Sequence, residues 1–165
     1  MRILGIDPGS QATGFGAIDS DGHRHRLIEQ GVIRTPGSYS FPHKLHYIHQ
    51  RLVEVLDRAR PDGVVVENLF YANNVKSALK LGHVRGVALL AGVARGLAVF
   101  EYSPLEVKQA VTGYGRADKE QVQKMVALLL ELREPPEPDD VADALAAALC
   151  HAHRMRYLEK VSKAL

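Results

Sequence analysis

Cysteine is almost missing from this chain: of 165 residues, only Cys150 is one. An intrachain disulfide is therefore excluded. Set in the Ala/Leu run VADALAAALC, Cys150 reads as a small core residue rather than a nucleophile. Long hydrophobic runs are missing as well. The longest uncharged apolar stretch, Val87 to Ala94, is far short of the roughly 20 residues that a membrane-spanning helix needs. The chain opens directly on strand-like sequence, leaving no room for a secretory leader. A cytoplasmic protein with no membrane association is expected. Neither sign of charge dominates: 21 basic and 19 acidic residues leave a net +2, which by itself says little about nucleic acid. The eight histidines form no zinc-ligand spacing. His151 and His153, two apart on a helix, point in different directions and read as polar or DNA-facing groups, not zinc ligands. There is no internal repeat and no low-complexity tract.

What is present is ordinary in amount and informative in order. An apolar fraction of 46% and a charged fraction of 24% suit a soluble globular protein with one real core. Residues 1–7 read as a buried strand broken by Pro8-Gly9. Thr13 to Asp19 reads as a second strand, Asp21-Gly22 as a hairpin turn, and His25 to Arg34 as a third strand. Pro36 to Pro42 reads as a loop. Leu45, Ile48, Leu52, Val55, Leu56 and Ala59 recur at helical spacing, up to Pro61-Asp62-Gly63. Val64–Val66 is a short, uniformly apolar strand of the kind covered on both faces. A helix over about 75–95 follows, then a strand at Leu97–Tyr102. Ser103 and Pro104 supply the N-cap and first position of the next helix. Asp118 starts another helix, to about Leu132. Pro135, Pro136 and Pro138 form a stiff connector to a last apolar helix. The order β-β-β-α-β-α-β-α-α-α predicts an α/β protein with a single mixed five-stranded sheet flanked by helices. Core signals fade after about Arg156, so residues 1–156 are expected as one domain and 157–165 as a frayed tail.

Four carboxylates stand where a carboxylate is costly without a cationic partner. Asp7 ends the run Ile3-Leu4-Gly5-Ile6, and Glu67 ends Val64-Val65-Val66. Should those strands be parallel neighbours, both side chains emerge at one sheet edge, where α/β sites form. Asp140 and Asp143 open the last helix and share a face. The helix dipole accounts for one of them better than for both. Competing roles exist: turn chemistry for Asp7, a surface ion pair for Glu67, and Asp139 either as the true N-cap, as a partner of Asp143 at i,i+4, or as the ligand in place of Asp140. If the four gather, two divalent cations would balance their charge, with Asp7 the best candidate to bridge them. That is a basis for metal-assisted phosphodiester cleavage.

Other residues carry two readings each. Lys119, at a helix start after a Gly-containing loop, suits a phosphate at a positive helix end and charge on a pentacovalent phosphorus; a solvated lysine is the alternative. Phe70 and Tyr71 suit stacking on an unpaired base beside Glu67, or core packing. Ala78, Gly82 and Gly86, four apart, ask for a close helix contact, with either the domain's own sheet or a second subunit. Basic stretches at His43, Lys44, His46, His49 and Arg51, and at Arg154, Arg156, Lys160 and Lys163, suit a polyanion or a solvated face. The segment IDPGSQATG resembles the phosphate loop of actin-like ATPases, but such enzymes need two such domains.

Four long stretches, in order, carry a closer resemblance: RILGIDPGSQATGFG, VVVENLFYANNVKSALKLGHVRG, LEVKQAVTGYGRADKEQVQKMV and DDVADALAAALCHAH. Together they resemble the RuvC family of bacterial Holliday-junction resolvases over nearly the whole chain. The resemblance implies a ribonuclease-H-like fold for residues 1–156, a homodimer, and metal-dependent cleavage of four-way DNA junctions in recombination and repair. Paired nicks leaving 5′-phosphate and 3′-hydroxyl ends, with Mg²⁺ (two per subunit, Mn²⁺ as a substitute), are implied too, as are RuvA and RuvB as partners. Asp7, Glu67, Asp140 and Asp143 match the family's acidic tetrad. Lys108 and Lys119 match its DNA-facing lysines, and Phe70 its base-stacking aromatic. A non-catalytic junction-binding module of the same fold is the alternative reading.

Overall fold

The computed structural model describes residues 1–68 and 74–164, with side chains through Tyr157. Its elements follow the expected order: β1 Arg2–Asp7, β2 Ala12–Ser20, β3 His25–Arg34, α1 Phe41–Ala59, β4 Gly63–Glu67, α2 Val75–Val93, β5 Ala98–Tyr102, α3 Pro104–Thr112, α4 Lys119–Leu129 and α5 Asp139–Ala164. The strands form one mixed sheet in the order β3-β2-β1-β4-β5. The first three are an antiparallel meander. β1, β4 and β5 run parallel, with Ile6 beside Val66.

Alternation along the strands sends side chains to two cores. Ile3, Ile18 and Val65 pack under α3, α4 and α5. Leu4, Ile6, Ala17, Val64 and Val66 pack under α1 and α2. A sheet covered on both faces has no polar side, which is why β1 and β4 read as unbroken apolar runs.

Local chemistry sets the helix ends. Ser103 accepts from the backbone N–H of Glu106, whose side chain returns the bond, with Pro104 in the first turn. Asp118 and Gln121 make the same capping box for α4. The loop expected to run to Pro42 ends two residues earlier. α1 begins at Phe41, and Pro42 sits in its first turn, where the missing N–H costs nothing.

The placement of α5 matters most. Gly5 and Gly16 are cross-strand partners on β1 and β2, and Gly14 is the partner of Asp7. A Cβ at Gly5 would collide with the Ala144 carbonyl, one at Gly14 with the Asp140 backbone, and one at Gly16 with the Leu145 side chain. Glycines inside strands mark the close approach of another backbone. The Ala-rich face of α5, with Ala142, Ala144, Ala146, Ala147 and Ala148 all fully buried, lies directly on the sheet.

Candidate active site

β1 and β4 are parallel neighbours, so Asp7 and Glu67 leave the sheet at the same edge. α5, seated on Gly14, brings its first turns over that edge. As a result Asp7, Glu67, Asp140 and Asp143 line one pocket of about 350 Å³, together with Lys108, Lys119, Pro104, Val107 and Val122. The expected gathering of residues separated by more than 130 positions is thus present. Six of these nine residues are charged and three are apolar.

The electrostatics are those of crowded acid. Burial first, then the nearby charges of Asp143 and Asp140, push the Asp7 carboxyl up to about 7. Burial and the charge of Asp7 push Glu67 up to about 8. Burial also raises Asp143, opposed by Lys119. The Lys119 ammonium stands 2.9 Å from Asp139 and 3.3 Å from Asp143.

Among the described residues, no three His, Cys, Asp or Glu side chains form a group that could hold a metal ion as they stand. The carboxylates share a pocket but are not drawn in to a common point. The donor set still fits Mg²⁺ or Mn²⁺, since all four groups are hard carboxylate oxygens. Burial and neighbouring charge raise the Asp7 and Glu67 carboxyls to about 7 and about 8, and a bound cation would favour their charged forms.

Asp139 lies in the first turn of α5 rather than outside it. It accepts a bond from Gln123 at 2.7 Å and pairs with Lys119. It does not line the tetrad pocket. His151 is buried and not DNA-facing. His151 is 2% exposed, bonds Tyr102 Oη at 2.9 Å and stacks on Phe100 at 4.0 Å. His153 Nδ1 contacts the Ala110 carbonyl at 2.9 Å. The helix carrying them is buried on the sheet, so each faces a packed neighbour. Arg51 and Arg154 are engaged by Glu54 and Glu106. Phe70 and Tyr71 lie outside the described residues.

The sheet does not supply the contact sought for Gly82 and Gly86. A Cβ on either meets nothing within 4 Å. Both lie in an open apolar groove with Leu45, Leu79, Val87 and Leu90. Leu79 and Leu90 are about 60% exposed, at 60% and 59%.

Two features were missed in the sequence. The glycines that seat α5 were readable as Gly14 and Gly16, two apart and so on one face of a strand. The bond of Gln123 to Asp139 had no signal, being a contact between different helices.

The profile of the family described as "Crossover junction endodeoxyribonuclease RuvC" matches residues 3–151. A relative of that name from Alkaliphilus oremlandii is 49% identical, covering 96% of this chain and 97% of the relative. One from Desulforamulus reducens is 51% identical, covering 92% and 93%. Among solved structures, the Thermus thermophilus RuvC in complex with a Holliday junction substrate superposes with a TM-score of 0.90 at 40% identity, covering 95% of this chain and 96% of that one. A second Thermus thermophilus RuvC structure gives 0.87 at 39%, with the same coverage.

Proposed function

The chain belongs to the RuvC family of crossover junction endodeoxyribonucleases, and on that premise we propose that its acidic pocket cleaves four-way DNA junctions. It is an endonuclease of DNA recombination and repair that resolves Holliday junctions. Two opposed strands are nicked symmetrically, leaving 5′-phosphate and 3′-hydroxyl ends. The observation that carries the assignment of the site is the convergence of Asp7, Glu67, Asp140 and Asp143 with Lys108 and Lys119 in one pocket. A module that only bound junctions would gain nothing from four carboxylates facing phosphate.

Asp7, Glu67, Asp140 and Asp143 would hold two Mg²⁺ ions, or Mn²⁺ in their place, which would supply an activated water and stabilise the leaving 3′ oxygen. The residues themselves do the following. The carboxylates repel phosphate until their charge is balanced, so DNA is cut only by the loaded enzyme. Pro104, Val107 and Val122 exclude water from one side of the pocket, which strengthens every charge interaction within it. Lys108 and Lys119 face the DNA backbone, and Lys119 also meets the negative charge that grows on the phosphorus. Phe70 and Tyr71, three and four residues beyond Glu67, stack on bases opened at the branch point.

The enzyme acts as a homodimer through the open groove of α2. Exposed Leu79 and Leu90 beside Gly82 and Gly86 let a second copy of the helix approach closely. Two-fold symmetry also suits a junction cut on two opposed strands. RuvA and RuvB are its branch-migration partners, and the site of action is the cytoplasm. No helix among the described residues is long and apolar enough to cross a membrane. Residues 1–156 form the nuclease domain, with 157–165 as its tail.

Incubation of synthetic four-way junctions with Mg²⁺ tests this reading. Paired symmetric nicks near the branch point are expected. Binding without nicks would leave only a junction-binding module.

A further inference from the structure

No zinc pattern runs along the chain, but the fold makes a histidine pair across 128 positions. His25, the first residue of β3, and His153 on α5 bring their Nε2 atoms to 3.2 Å. Their ring planes stand at 62°. The other nitrogen of each ring is engaged by an oxygen. His153 Nδ1 lies 2.9 Å from the Ala110 carbonyl, and His25 Nδ1 lies 2.9 Å from Ser20 Oγ. A carbonyl only accepts, so His153 Nδ1 carries a proton, and the neutral ring leaves a lone pair on Nε2. His25 Nε2–H donates to that lone pair. An imidazole fixed by an oxygen at one nitrogen, with the other aimed at a common point, is how metal-binding histidines are held. Two such nitrogens on one tetrahedral Zn²⁺, each at about 2.0–2.1 Å, stand about 3.3 Å apart. The pair is already at that spacing. Burial first, then the charge of His153, hold His25 below its usual range, with Asp21 opposing and Arg156 adding to the effect. His25 is therefore neutral, the form that ligates.

We propose that His25 and His153 form a second metal site, for a divalent transition metal such as Zn²⁺, which staples the start of β3 to α5. Imidazole suits Zn²⁺, whereas Mg²⁺ prefers the oxygens of the tetrad. The two rings supply two ligands and solvent supplies the rest. Both rings border open clefts, His25 the one with Ser20 and Asp21, His153 the one with Gln109 and Tyr157. On binding, the His25 proton leaves Nε2 and is carried on Nδ1, where it is donated to Ser20 Oγ. Both Nε2 lone pairs then face the ion, and no net proton is released. Ten positions of helix separate His153 from Asp143, about 15 Å along the axis, so the site is separate from the tetrad and does not rest on that reading.

The test is a Zn²⁺ titration of the full chain in excess Mg²⁺, followed as the rise in melting temperature that a ligand of the folded state produces. The unaltered protein should respond. His25→Gln and His153→Gln, each compared with its own zinc-free baseline, should each raise the half-saturating Zn²⁺ concentration by at least about tenfold. Ser20→Ala keeps both ligands and removes the oxygen behind His25; it should raise that concentration about tenfold. Nitrogen-15 NMR of the unaltered protein needs no variant to fold. The Nε2 signals of His25 and His153 should both move with Zn²⁺ and stay in place with Mg²⁺. A Zn²⁺ response equal in the unaltered protein and both histidine variants would put the ion elsewhere and overturn the site. Nε2 signals unmoved by Zn²⁺ would overturn it as well, leaving the pair as a hydrogen bond between two packed rings.

Discussion

Gly14 on β2 and Asp140 on α5 meet backbone to backbone, with no room for a side chain between them. Gly14 is also the cross-strand partner of Asp7. One hydrogen atom in place of a methyl group therefore sets how far the carboxylates of α5 stand from those of the sheet.

Adding that methyl group should separate them. Gly14→Ala forces α5 off the strand at a cost of about 1–3 kcal/mol, the usual range for overpacking, and should slow junction cleavage at least about tenfold. Melting curves and single-turnover cleavage report the two effects. Gly37→Ala, whose Cβ would meet nothing within 4 Å, should change neither.

The stability of the metal-free enzyme should fall as pH rises. Asp7 and Glu67 titrate near 7 and 8 in the fold, raised chiefly by burial, whereas an unfolded chain releases those protons near pH 4. Between about pH 4 and pH 8 the folded state holds protons that the unfolded state has lost, so stability declines across that window. Asp7→Asn removes part of the penalty. In EDTA at pH 8 it should be more stable than the unaltered protein by on the order of 2 kcal/mol, with the gap closing towards pH 5. Denaturant titration at the two pH values measures this. A variant less stable at pH 8 would contradict the crowding of charge at this site.

Much of this arrangement was legible in the sequence, and the reasons differ by residue. Asp7 and Glu67 stood out because a carboxylate at the end of an apolar strand has few bland explanations. Ser103-Pro104 and Asp118 announced helix starts through local chemistry, which needs no tertiary knowledge. His151 and His153 stayed open between two roles because spacing along a helix tells that two side chains diverge, not what each one meets. Here one meets Tyr102 and the other Ala110. Asp139 stayed open between three roles, because its partners Lys119 and Gln123 come from another helix.

The groove of α2 predicts self-association. Gly86→Leu fills a position where a Cβ meets nothing, and leucine favours a helix over glycine by up to about 1 kcal/mol. The variant should stay folded, with unchanged or raised thermal stability as a monomer, while losing the dimer in sedimentation or light scattering. A dimer that survives the substitution would place the interface elsewhere.

Lys108 lines the pocket beside the carboxylates. If it meets a phosphate, Lys108→Ala should reduce the magnitude of the salt slope of junction affinity by about one unit. An unchanged slope would return Lys108 to an ordinary solvated lysine.

Asp7→Asn in Mg²⁺, assayed for both cutting and binding of the same four-way junction, tests the acidic pocket most directly. Cutting should fall by about a thousandfold or more, since a ligand that balances charge at the reacting phosphate is worth several kcal/mol. Junction affinity should be retained or improved, because one phosphate-repelling charge is gone. Near-normal cutting by the variant would contradict the assignment of the pocket as the catalytic centre.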